Sequence, residues 1–203
     1  MRESDRCEFS EFSFGYTLVD NAIHSGVWGG ASGSPRFLSP SEEGGPGGGF
    51  DVELPFRALP LFLQFKIPQM MRYRSSRMPA GFSKPYFRMH LRARRVNASG
   101  KTQHEQMLDL ENKYPLCVFY VTPRFATSEE LDRHYLARRV ADESEWFAPS
   151  AIGDLDRDDH CVAYHPDAPD YEVQSQPSRR SEGRYRFESV THRLASLVKQ
   201  AAL

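Results

Sequence analysis

The segment from Gly47 to Lys66, GGGFDVELPFRALPLFLQFK, decides how the chain folds. A glycine cluster runs into FDVEL and LFLQFK, two stretches that alternate with the period of two expected of strands. PFRALP joins them, and its prolines suit a turn. The spacing predicts a hairpin. Centred on the bond between Ala58 and Leu59, it sets Asp51 opposite Lys66 and Glu53 opposite Gln64. Side-chain alternation then puts these four polar residues on one face, with Phe50, Val52, Leu54, Leu61, Leu63 and Phe65 on the other.

The residues upstream predict a helix over 8–25, in which Phe12, Tyr16, Val19 and Ile23 form one row and Glu11, Gly15, Leu18 and Ala22 the next. Residues 29–49, rich in Gly, Ser and Pro, predict a long loop with a short strand near Arg36–Leu38. Downstream, YFRMHLR reads as a third alternating strand. Thr102 with Glu105, and Thr127 with Glu130, have capping-box spacing and open two helices, to Lys113 and to about Val140. Between them LCVFYVTP is a continuous apolar run, as for a strand covered on both faces. The C-terminal part carries an acidic loop, one strand at CVAY, a linker SQPSRR and a helical tail from Glu182.

At 203 residues and 39% hydrophobic, the chain has the material for one substantial core, so a single domain over 1–203 is expected, with a main body at 8–140 and an extension at 141–203. The aromatic and charged start, MRESDRCEFSEFSFGY, lacks the apolar core of a secretory leader, and no apolar run approaches the roughly 20 residues of a spanning helix. A cytoplasmic protein without membrane contact is the expectation. Three separated cysteines fit neither a disulfide framework nor a four-ligand zinc site.

Formal net charge is −1, but its distribution is uneven. Between Glu53 and Glu105 no acidic residue occurs, while eleven basic ones do, leaving −12 on the rest of the chain. Arg72, Arg74, Arg77, Arg88 and Arg92 fall in this interval. Such segregation suits a phosphate-binding face, and it equally suits a solvated face balanced by acidic neighbours in space.

The polar face of the hairpin likewise has two readings. Cross-strand Asp and Lys pairs on solvent faces are common and contribute less than about 1 kcal/mol. Alternatively, a carboxylate and a second oxygen hold Mg²⁺ while the lysine orients the attacking water in phosphodiester cleavage. GGPGGG lacks the GK[ST] of a phosphate loop, and DLDRDD lacks the Gly and Glu of a calcium loop.

With Asp51 followed by Gln64-Phe65-Lys66, and with the predicted order helix, strand meander, helix, strand, residues 8–122 resemble the PD-(D/E)XK restriction-endonuclease-like superfamily, in a Gln-X-Lys variant. The resemblance implies an α/β fold with that core and a C-terminal helical extension. It implies Asp51, Gln64 and Glu11 as metal ligands, Lys66 as the residue assisting water, Mg²⁺ as cofactor and DNA rather than RNA as substrate. Restriction, repair or phage defence are the implied settings. A catalytically silent nucleic-acid-binding or assembly module of the same shape is the alternative, and a protein partner or homodimer stays open.

Overall fold

The structure, a computed structural model, describes residues 6–25, 30–45, 47–57, 59–72, 79, 82–92, 96, 100–175, 177–182 and 184–201. Helix α1 (Glu11–His24) is followed by β1 (Arg36–Phe37), a single helical turn α2 (Pro40–Glu43), and the strands β2 (Val52–Pro55), β3 (Pro60–Phe65), β4 (Gln69–Met71) and β5 (Tyr86–Arg92). Then come α3 (Gln103–Lys113), β6 (Val118–Pro123), α4 (Ser128–Leu136), β7 (Ser144–Phe147) and α5 (Pro149–Ile152). The strands β8 (Asp159–Tyr164), β9 (Asp170–Gln174) and β10 (Arg179–Glu182) precede a last helix, α6 (Phe187–Ala201).

The strands form two five-stranded sheets, ordered β1-β2-β3-β6-β7 and β10-β9-β8-β5-β4. In the first, β1, β2 and β3 make an antiparallel meander and β6 runs parallel to β3. The second is antiparallel throughout. The fold is therefore mixed α/β.

One core fills the space between the first sheet and α1, α4 and α6, through Phe14, Leu18, Leu63, Phe65, Val121, Leu131 and Trp146. A second joins that sheet's opposite face to α3 and to the second sheet, through Phe62, Met107, Tyr120, Met89 and Val162. The first sheet is thus covered on both sides, which is why β6 reads as an unbroken apolar run.

Local chemistry sets the helix starts. Ser10 accepts from the Ser13 N–H to cap α1, and reciprocal capping boxes open α3 at Thr102 and α4 at Thr127. On α1 the buried row is the one holding Gly15, Leu18 and Ala22, whereas Phe12 and Tyr16 are exposed. A Cβ on Gly15 would lie 2.6 Å from the Phe65 ring, so α1 rests directly on β3 at this point.

The hairpin forms as expected, with a register shifted by two residues: Val52 pairs with Leu63 and Glu53 with Phe62. Asp51 therefore falls beside Gln64 rather than Lys66, and the shared polar face survives because a shift of two preserves parity. Phe50 departs from its expected face and packs on Phe62 with ring centroids 5.0 Å apart, since the chain bends before β2.

The C-terminal region ends in the helical tail expected, as α6, but is more than a helical extension, because β7 completes the first sheet and β8, β9 and β10 build most of the second. It is tied down at Glu145 on β7. This buried carboxylate lies 3.1 Å from both Arg184 and Arg186, while the Tyr185 backbone pairs with Trp146. The last two residues of the segment expected as a linker, Arg179 and Arg180, open β10.

Gly15→Ala gains about 1 kcal/mol of helix propensity but forces a methyl against a ring enclosed by the core, which costs about 1–3 kcal/mol. Urea denaturation is expected to show net destabilisation by Gly15→Ala in the wild-type background, and none when Phe65→Leu is also present.

Candidate functional site

Asp51 stands immediately before β2, and its position is set from both ends. On the upstream side Gly49 has φ +93° and a hydrogen in place of a Cβ that would meet Gln106 at 2.8 Å, so the glycine loop lies against α3. Gln106 Nε2 holds the same loop by donating to the Gly45 carbonyl at 2.7 Å. On the strand side, Asp51 Oδ2 accepts from the Phe65 backbone N–H at 2.6 Å and from Gln64 Nε2 at 2.8 Å.

The network continues outward. Gln64 is buried, and its Oε1 accepts from Gln103 Nε2 at 3.0 Å; the same Gln103 nitrogen donates to Glu43 Oε1 at 2.7 Å. One row of hydrogen bonds thus connects Glu43 on α2, Gln103 at the start of α3, Gln64 on β3 and Asp51.

Glu43 and Gln103, the outer members of this row, line a cleft of about 820 Å³ together with Glu11, Lys66 and His90; Asp51 and Gln64 are not among its lining residues. Glu11 comes from the first turn of α1, one turn before the contact of Gly15 with Phe65. Lys66 follows β3 directly and makes no ion pair within 4 Å among the described residues. The cleft is concave, sits beyond the C-terminal end of β3, and draws on α1, the loop before β2, β3 and α3.

Burial pushes the Asp51 carboxyl from its ordinary value up to about 7. The Phe65 N–H and the Lys66 charge work against that rise, while the negative charges of Glu11 and Glu43 add to it. Asp51 is consequently a carboxyl whose proton affinity is raised chiefly by burial, with two further carboxylates near enough to add to the rise.

These donors suit a divalent cation in kind, since carboxylate oxygens are the ligands Mg²⁺ prefers. They are not assembled into a ready cage: among the described residues no three His, Cys, Asp or Glu side chains are grouped closely enough to hold a metal. Gln64 also differs from the ligand role expected of it, because its amide nitrogen faces Asp51 and its oxygen is engaged by Gln103.

Other expected residues are placed elsewhere. Arg88 is no surface contact for phosphate: it is buried and donates to Cys161 Sγ at 3.3 Å. Arg72 is exposed, whereas Arg74, Arg77 and the side chain of Arg92 lie outside the described residues. Glu53 faces Arg36, 3.6 Å away, rather than the cleft. Glu8, the other acidic residue near the start of α1, does not line the cleft and accepts from the Ser128 N–H at the start of α4. His104 is a packing residue, with Nε2 2.8 Å from the Gly153 carbonyl and Nδ1 3.2 Å from the Tyr120 hydroxyl.

Sequence reasoning missed Glu43. The signal was present in Ser39-Pro40-Ser41-Glu42, which has capping-box spacing with Pro at the first helical position. The structure forms that cap, with Ser39 N–H donating to Glu42 Oε2 at 2.9 Å.

No family model matches the chain, and no curated protein or solved structure matches it either. The geometry alone therefore supports any reading of the site.

The Asp51 shift has a consequence for stability. Its native value lies above the unfolded one, so the neutral carboxyl favours folding; that contribution is full below about 4 and is lost as pH rises through about 7. Asp51→Asn, which keeps an acceptor but cannot ionise, is expected to melt progressively higher than wild type as pH rises from about 5 to about 8. A gap that does not change with pH contradicts the burial of this carboxyl.

Proposed function

We propose that the protein is a divalent-cation-dependent nuclease that hydrolyses phosphodiester bonds of DNA, built on a restriction-endonuclease-like core. The observation carrying this reading is the convergence of Glu11, Glu43 and Lys66 on one cleft from separate segments of the chain, with Asp51 near enough to feel the charge of all three. The order helix α1, meander β1-β2-β3, helix α3 and parallel strand β6 supports it, although β4 and β5 intervene before α3 and the expected third strand, YFRMHLR, belongs to the second sheet.

Asp51, Glu11 and Glu43 are the carboxylates Mg²⁺ would draw on, and because they are not grouped closely enough to hold a metal as they stand, their side chains would have to draw together around the ion. When bound, the cation supplies Lewis-acid polarisation of the phosphate and a more acidic water. Gln64 acts by positioning: its amide fixes Asp51 Oδ2, and Gln103 fixes Gln64 in turn. Lys66, an ammonium with no ionic partner among the described residues, orients the water and offsets charge gathering on the phosphate. Exposed basic residues of the acid-free interval, Arg57, Arg72 and Lys84 among them, hold the DNA backbone by charge.

One observation favours a second reading. The nitrogen of Gln64, rather than an oxygen, is turned to Asp51, which suits a nucleic-acid-binding module that has lost catalysis.

Incubation with supercoiled plasmid separates the two. The nuclease reading expects cleavage with Mg²⁺ or Mn²⁺, none with chelator, and a loss of at least about 100-fold in Lys66→Ala and Asp51→Ala. Equal cleavage by either variant contradicts the site assignment. Binding of a short duplex should weaken steeply with salt, and Arg72→Ala should lower that slope by about one. Salt-sensitive binding without cleavage by wild type supports the silent module.

A further inference from the structure

The second sheet carries a buried cation without a carboxylate. Arg88 on β5 is 9% exposed, and its one hydrogen-bond partner among the described residues is Cys161 Sγ, at 3.3 Å. Its Nε is enclosed and unbonded. A guanidinium does not shed its proton in proteins, and enclosing part of it away from water is unfavourable without an anion, so an anion beside it is favoured. Glu172 on β9 and Asp159 on β8 share this sheet face by strand pairing, yet neither lies within ion-pair distance of Arg88. The sulfur is the group in place to carry the charge.

A second basic side chain meets the same atom. His90, paired with Cys161 across the strands, sets Nδ1 3.1 Å from Sγ. Arg88 and His90 thus bracket one sulfur, and His90 also lines the cleft that holds Glu11, Glu43 and Lys66. Cys7 and Cys117 lack such surroundings: burial pushes their thiols up to about 12 and about 11.

We propose that Cys161 is a thiolate paired with Arg88 and His90, and that it is a modification site for small neutral electrophiles and peroxides entering past His90 from the cleft. With hydrogen peroxide the sulfur forms a bond to one oxygen as the O–O bond breaks. The sulfur loses two electrons and becomes a sulfenic acid. The departing hydroxide takes a proton from the His90 imidazolium and leaves as water, so peroxide is reduced as the thiolate is oxidised. Oxidation removes the negative charge that Arg88 and His90 share, and so loosens the His90 wall of the cleft. The inference does not depend on the nuclease reading, and its test uses no cleavage assay.

The experiment treats the native full-length protein with iodoacetamide at about pH 6.5, roughly two units below an ordinary thiol, and maps all three cysteines by mass spectrometry. Alkylation of Cys161 at least about 10-fold faster than of Cys7 and Cys117 is expected, together with thiolate ultraviolet absorbance that is lost in Cys161→Ala. Arg88→Met should slow the labelling by about 10-fold; His90→Gln, which leaves the buried cation in place, should slow it less. Dilute peroxide should give a sulfenic acid trapped by dimedone at Cys161 alone. Absence of thiolate absorbance at this pH overturns the ionisation, and absorbance without alkylation or oxidation overturns the modification site. Unchanged labelling in a folded Arg88→Met or His90→Gln variant overturns the ion pairing.

Discussion

The site is organised around a single oxygen. Asp51 Oδ2 accepts both from the Phe65 backbone and from the Gln64 amide, so the two strands of the central hairpin are tied where the polar face meets the cleft. Each bond fixes a different thing. The Phe65 N–H belongs to the strand that carries α1, and hence Glu11, through the contact of Gly15 with the Phe65 ring. The Gln64 amide belongs to the row that reaches Gln103 and Glu43. A carboxyl held this way is rigid and largely dry, which is what raises its proton affinity. Placement of a carboxylate within a fraction of an ångström is a requirement of cation-assisted hydrolysis.

Two charged clusters show how the surrounding fold handles buried ions. Glu145 is matched by Arg184 and Arg186, and the pairing fastens the C-terminal segment to the first sheet. Arg88 has no such carboxylate and rests against a sulfur. The first cluster is closed within the protein, whereas the second meets the cleft through His90.

Much of the main body was legible because its signals are local. Alternation gave the hairpin and YFRMHLR, the two Thr-x-x-Glu caps gave α3 and α4, and the apolar run gave β6. What escaped depended on distant partners. The hairpin register follows from a turn whose geometry the prolines do not specify, so Asp51 came out beside Gln64 instead of Lys66. Arg88 lies on a strand of mixed pattern, YFRMHLR, and only the pairing of β5 with β8 reveals that its face is covered and that Cys161 awaits it. The second sheet escaped because β9 and β10 are short and polar, and because the sheet is held together by the pairing of β5 with β8, which are distant in the chain. Of the four hairpin and helix residues proposed for catalysis, Lys66 and Glu11 line one cleft, while Asp51 and Gln64, bonded to each other, are not part of its lining.

The central claim is that Asp51 is a half-buried, proton-retaining carboxyl, which on the proposed nuclease reading would exchange its proton for a divalent cation. Calorimetric titration with Mn²⁺ at about pH 6.5, repeated in two buffers of different ionisation heat, measures the ion bound and the proton released together. The account predicts saturable binding with release of a fraction of a proton, and loss of that release in Asp51→Asn. Binding without proton release, or release unchanged in Asp51→Asn, would contradict it.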